Sequence, residues 1–145
     1  MLQFNLGLVP ANIHEIRSRL EEQRPDLVLI QESNLKQEQH VKFNDYKVIR
    51  TDRITPRNSK KKIRGGGVLI LINKHNKQFK FEELKPIHPI NDNITEIKRV
   101  RLYIEEDKKV FAINVLNIYI PLMHKGDKND ERTQNFNKSL SLESA

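Results

Sequence analysis

The chain has 145 residues, 37% hydrophobic and 31% charged, which fits one soluble globular domain with a well-charged surface. No apolar run approaches the roughly 18 residues of a membrane span, and cysteine is absent, which excludes a disulfide framework and a thiolate metal site. The formal net charge is +7, and its position along the chain matters more than its size.

Leu2 to Asn5 alternates around Leu2 and Phe4 and predicts a short first strand. Pro10 closes the connection that follows. Asn12 stands three residues before Glu15 in a capping-box pattern, so a helix is expected to start there. Ile13, Ile16 and Leu20 then form one apolar helical stripe, and Pro25 stops the helix after Gln23 or Arg24. In "RPDLVLIQES" the run Leu27 to Glu32 opens with four consecutive apolar residues, as in a strand covered on both faces. The order is strand, helix, strand, with a connection long enough for a crossover.

Tyr46 to Thr51 predicts a further strand. "GGGVLILINK" (Gly65 to Lys74) reads as a flexible turn feeding a buried one. A phosphate-cradling glycine loop would need a following helix and a Lys-Ser/Thr pair, and neither is present. "KQFKFEELK" alternates weakly, as an edge strand does, before Pro86 and Pro89 interrupt the chain. Glu96 to Ile104 alternates cleanly, with Val100, Leu102 and Ile104 on one face and Arg99, Arg101 and Tyr103 on the other. "EEDKK" is a polar turn, and "VFAINVLNIYIP" returns as a long strand ending at Pro121, giving a hairpin. These elements predict a mixed α/β layered domain in which a sheet packs on another layer. Residues 124–145 are a polar tail outside that core, with a short helix over Thr133 to Leu140 the most its pattern allows.

Between Arg50 and Arg64 lie seven basic residues (Arg50, Arg53, Arg57, Lys60, Lys61, Lys62 and Arg64) against one acid, Asp52. Such a cluster attracts polyanions by Coulomb force and counterion release. A solvated loop or a localisation signal is the plainer reading, and no aromatic residue interleaves the run to stack on bases. The N-terminus lacks the basic segment and long apolar core of a secretory signal, so an intracellular setting, nucleus or cytoplasm, is expected.

Strand C-terminal ends in layered α/β folds bring side chains to a common crevice, and Asn5, Glu32 and Tyr119 stand at such ends. Mg²⁺ takes only one or two protein carboxylates alongside waters and phosphate oxygens, so Glu32 with an Asn5 amide oxygen would make a partial shell. A solvated strand terminus is the plainer reading of Glu32. The five histidines (His14, His40, His75, His88, His124) show no zinc spacing, and no G-x-S-x-G occurs. "GDKND" (Gly126 to Asp130) reads as a solvated loop.

The segments "LQFN", "RPDLVLIQES", "GGGVLILINK" and "VLNIYIP" occur in the order and rough spacing of the endonuclease/exonuclease/phosphatase superfamily. The resemblance is strongest to the apurinic-type endonuclease domain of LINE-type (non-LTR) retrotransposons, whose pattern runs "Q-W-N-x-N-G-L", "P-D-I-x-x-L-Q-E-T", "G-G-G-V-A-I-L-V" and "N-x-Y-x-P-P". It covers Leu2 to Pro121, about the first half of that domain, so residues 1–123 are expected to be its N-terminal portion. The resemblance implies a four-layered α/β sandwich, here partial and truncated on its C-terminal side. It also implies hydrolysis of a DNA phosphodiester with Mg²⁺ or Mn²⁺. Asn5 and Glu32 take the metal-holding positions, and Tyr119 that of the tyrosine approaching the scissile phosphate. The Arg50–Arg64 loop would touch the DNA backbone.

The departures are specific. "QFNLGLVP" lacks the second asparagine, Ser33 replaces a threonine, and Leu122 and Met123 follow Pro121. The later "G-D-F-N" and "S-D-H" blocks, which supply an aspartate, an asparagine and the histidine, are absent. A catalytically incomplete nuclease fragment, expected to lack its C-terminal half as partner, is therefore the leading expectation. Two alternatives stand beside it. One is a non-enzymatic module binding DNA or RNA through the basic loop; the other is a phosphoesterase of the same superfamily with another substrate.

Overall fold

The computed structural model describes residues 1–5, 9–52, 66–85 and 95–120. The elements are β1 (Leu2–Asn5), α1 (Val9–Gln23), β2 (Leu27–Gln31), β3 (Tyr46–Thr51), β4 (Val68–Asn73), β5 (Phe79–Glu83), β6 (Glu96–Glu106) and β7 (Lys109–Tyr119). Most of the basic loop, the Pro86–Pro89 interruption and the tail with its Thr133–Leu140 segment lie outside the described residues.

The first four strands form one sheet in the order β1-β2-β4-β3, with β1 parallel to β2 and the other pairs antiparallel. The last three form a second, antiparallel sheet, β5-β6-β7. Consecutive apolar residues in β2 and β4 supply both faces of the first sheet. Val28, Ile30, Leu69 and Leu71 pack with Val9, Ile16 and Leu20 of α1 and with Leu35 and Phe43. Their neighbours Leu27, Leu29, Ile70 and Ile72 pack with Ile49 and with Val100, Leu102 and Val115 of the second sheet. Each such side chain contributes about 1.5–3 kcal/mol by leaving water. The chain is thus a mixed α/β domain, mostly sheet. Its described layers are three: helix with the 35–43 segment, four-stranded sheet, three-stranded sheet.

The helix begins at Val9, ahead of the Asn12 expected to cap it. Two features account for the earlier start. Pro10 carries a φ already suited to a first helical turn. The Val9 N–H, an orphan donor at a helix start, finds the Ser33 carbonyl at 3.1 Å. A contact distant in sequence thus supplies what the local pattern placed on Asn12. At the other end Arg24 turns left-handed (φ 42) before Pro25, and its N–H reaches the Leu20 carbonyl at 3.0 Å. Asp107 and Lys108 (φ 50 and 62) join β6 to β7 through a two-residue turn with both φ angles positive, the type that suits strand twist.

Candidate active site

Three chain positions far apart in sequence meet at one end of the molecule. Asn5 ends β1 and pairs in parallel register with Gln31, the last residue of β2. The Gln31 side-chain amide crosses between the sheets and donates to the Ile118 carbonyl of β7 at 2.9 Å. Tyr119 follows Ile118 and lies opposite Glu96 in the β6–β7 ladder. Glu32 follows Gln31 directly. The tips of β1, β2 and β7 therefore share one edge, where the sequence pattern placed Asn5, Glu32 and Tyr119. Asn5 is located through its backbone; Glu32 and Tyr119 are partly buried.

The backbone turns abruptly at this edge. Glu32 and Asn34 both adopt positive φ (55 and 52), a left-handed conformation that a side chain with a Cβ rarely takes. The turn is tied on both sides. Ser33 N–H donates to the Gly67 carbonyl at 2.9 Å and Asn34 N–H to the Gly66 carbonyl at 2.7 Å. The Asn34 side-chain amide closes back on the Glu32 carbonyl at 3.4 Å. Strain held by surrounding bonds in this way tends to collect at functional positions. The run Leu27–Ile30 thus leads into a pinned, left-handed Glu32.

Gly67 is required by the same packing. Gly67 has φ 84, and a Cβ there would run into the Ser33 hydroxyl. Gly67 therefore serves both the turn and the close approach. Its N–H also makes a buried hydrogen bond to the Glu96 carboxylate.

Glu96, Gln31, Ser33 and Asn117 are members of this edge that the sequence pattern did not single out. Glu96 sits in the same alternation phase as Val100 and Leu102, so its inward aim was readable from a carboxylate at an inward-facing position. Asn117 is fully buried. Its amide donates to the Ile30 and Leu69 carbonyls at 2.9 and 2.8 Å, which bolts β7 onto β2 and β4. The Asn117 Oδ1 and Ser33 Oγ atoms are both buried without a hydrogen-bond partner.

Of the seven basic residues, Arg50 lies within the described part. Its guanidinium donates to the carbonyls of Gln39 (2.6 Å) and Lys36 (2.9 Å) and to the Asp52 carboxylate (2.7 Å). The two carbonyl bonds hold the 36–39 loop against β3. Arg53, Arg57, Lys60, Lys61, Lys62 and Arg64 lie outside the described residues.

Among the described residues no three of His, Cys, Asp and Glu gather as a metal cluster. A magnesium site needs fewer protein ligands than that, since Mg²⁺ takes only one or two protein carboxylates alongside waters. A hollow of about 490 Å³ lies at the opposite end of the first sheet, lined by Arg17, Arg24, Glu21, Asp45, Tyr46 and His75 among others. Its basic and acidic groups offset one another, and it has no connection to the strand tips. Compared with known proteins, the chain matches no family model and no curated protein. No helix among the described residues is long and apolar enough to cross a membrane.

Proposed function

We propose that this chain is the N-terminal portion of a divalent-metal-dependent DNA endonuclease of the retrotransposon type, within the endonuclease/exonuclease/phosphatase superfamily. In that reading the three described layers are part of a four-layered sandwich. The observation that carries the proposal is the Gln31 bridge to Ile118 together with the Asn5–Gln31 pairing. These contacts bring three separate sequence motifs to one edge.

On this reading Glu32, held by the pinned turn, would bind Mg²⁺ or Mn²⁺ together with Asn5. The ion, when bound, would neutralise charge developing on the phosphoryl oxygens. Tyr119 would direct its phenol at the scissile phosphate. Glu96 would fix Gly67 and so the 33–34 backbone behind Glu32. The later blocks that supply an aspartate, an asparagine and the histidine in the resembled family are absent from the sequence. Loss of a base with its orienting partner lowers rates by several orders of magnitude, so this chain alone is expected to show little or no nicking.

The test is residue-resolved Mn²⁺ titration by NMR. Paramagnetic broadening is expected together at Asn5, Gln31 to Asn34 and Tyr119, and it is expected to vanish in Glu32→Gln. Broadening confined to unrelated surface acids would refute the site. Robust Mg²⁺-dependent plasmid nicking by this chain, abolished by Glu32→Ala, would refute its catalytic incompleteness.

A further inference from the structure

We propose, resting on the reading of this edge as a metal and phosphate site, that Gln31 and Asn117 are its positioning residues. Together their side-chain amides set the separation of Glu32 from Tyr119. The two amides cross between the sheets in opposite directions. Gln31 of β2 donates to the Ile118 carbonyl of β7 at 2.9 Å. Asn117 of β7 donates to the Ile30 carbonyl of β2 at 2.9 Å and to the Leu69 carbonyl of β4 at 2.8 Å.

Both residues break an apolar pattern. Gln31 continues the alternation of Leu27 and Leu29, which pack on the second sheet. Asn117 continues that of Val115, which packs on the first. Each stripe between the sheets thus changes from aliphatic to amide at its strand-tip end. A buried amide is costly unless it is hydrogen-bonded, so it stands there for its bonds. Asn117 is 1% exposed, and both of its bonds reach the other sheet.

Apolar burial is non-directional, so it holds two sheets together without fixing how far one slides along the other. A hydrogen bond fixes distance and direction. The carbonyls that accept here adjoin the site residues along the chain. The Ile118 carbonyl belongs to the planar peptide unit that ends at the Tyr119 Cα. The Ile30 carbonyl belongs to the unit that leads into Gln31, the residue before Glu32. Ile30 and Leu69 are register partners, so the one Asn117 amide spans both of their strands. The left-handed turn fixes Glu32 within the first sheet, and the crossed amides carry that placement over to Tyr119.

The test is Mn²⁺ titration of the full chain by NMR with Gln31→Met, which keeps the length of the side chain and removes its donor. Broadening is expected to persist at Ser33 and Asn34. At Tyr119 it is expected to fall about two-fold or more, because it varies as the inverse sixth power of distance and a displacement on the order of 1 Å suffices. Asn117→Leu is expected to move the ratio of Tyr119 to Ser33 broadening the same way. Leu27→Ala removes an apolar contact between the sheets at the far end of β2. It is expected to lower the urea midpoint and leave the ratio unchanged, which separates positioning from stability. Gln31 is partly exposed, so the circular dichroism of Gln31→Met should match that of the unmodified chain. An unchanged ratio in Gln31→Met, with the broadening still present, would overturn the positioning role and leave the metal reading standing. An equal change in Leu27→Ala, or fast solvent exchange of the Asn117 side-chain amide protons in the metal-free chain, would also overturn it. No broadening at this edge in the unmodified chain would overturn both readings.

Discussion

Replacing Gly67 with alanine should be among the most damaging small changes in the molecule, and the damage should depend on Ser33. Two effects combine. At φ 84 the added methyl group has to be held in a left-handed backbone, which costs about 1–2 kcal/mol. The same methyl collides with the buried Ser33 hydroxyl, an overpacking of about 1–3 kcal/mol. The single variant is therefore expected to lose about 2–5 kcal/mol, a large part of a small domain's stability.

Ser33→Ala removes the hydroxyl, which has no hydrogen-bond partner, so by itself it should be neutral or stabilising by about 1 kcal/mol. In the double variant the alanine methyl meets the Ser33 Cβ position at 3.5 Å, an ordinary contact. The steric part then disappears and the backbone part stays. Urea unfolding of the four proteins, at one concentration and followed by circular dichroism, gives the coupling directly. A favourable coupling of about 1–3 kcal/mol is expected. Strictly additive losses would show that Gly67 is not needed to make room for Ser33, and the account of the glycine run would be wrong.

Two further outcomes follow from the same structure. Glu32→Gly should be more stable than Glu32→Ala by about 1 kcal/mol, because alanine keeps the Cβ that is strained at φ 55; equal urea midpoints would remove the case for strain at that turn. The Tyr46 phenol is held above its ordinary 10.0, chiefly by burial and then by the Asp45 and Asp26 carboxylates, with Arg24 opposing, and it donates to the Pro25 carbonyl at 2.9 Å. The native state thus retains that proton more tightly than the unfolded chain does. Its contribution is intact below pH 10 and is lost as pH rises from there through the folded value. Tyr46→Phe should unfold more easily at pH 8 by about 1 kcal/mol and then lose stability less steeply above pH 10. Identical slopes for the two proteins would contradict this.

What the sequence determined by itself was local: runs, alternations and breaks. Consecutive aliphatic residues in Leu27–Ile30 and Val68–Ile72 meant strands with two buried faces, and both are buried on both faces. The clean alternation from Glu96 and the apolar run after "EEDKK" meant a hairpin, and β6 and β7 pair throughout. Pro25 ended the helix where a residue preceding proline should. The tertiary structure decided matters that depend on groups distant along the chain. Ser33, not Asn12, receives the first helical N–H. Arg50 serves a neighbouring loop through bonds to the Lys36, Gln37 and Gln39 carbonyls that no basic run reveals. Glu96, Gln31 and Asn117 join the strand-tip edge through partners 29 to 87 residues away. Periodicity reports which face a side chain takes on its own element, and so it predicts burial well. Hydrogen-bond partners across sheets are set by register and layer packing, which no local pattern encodes.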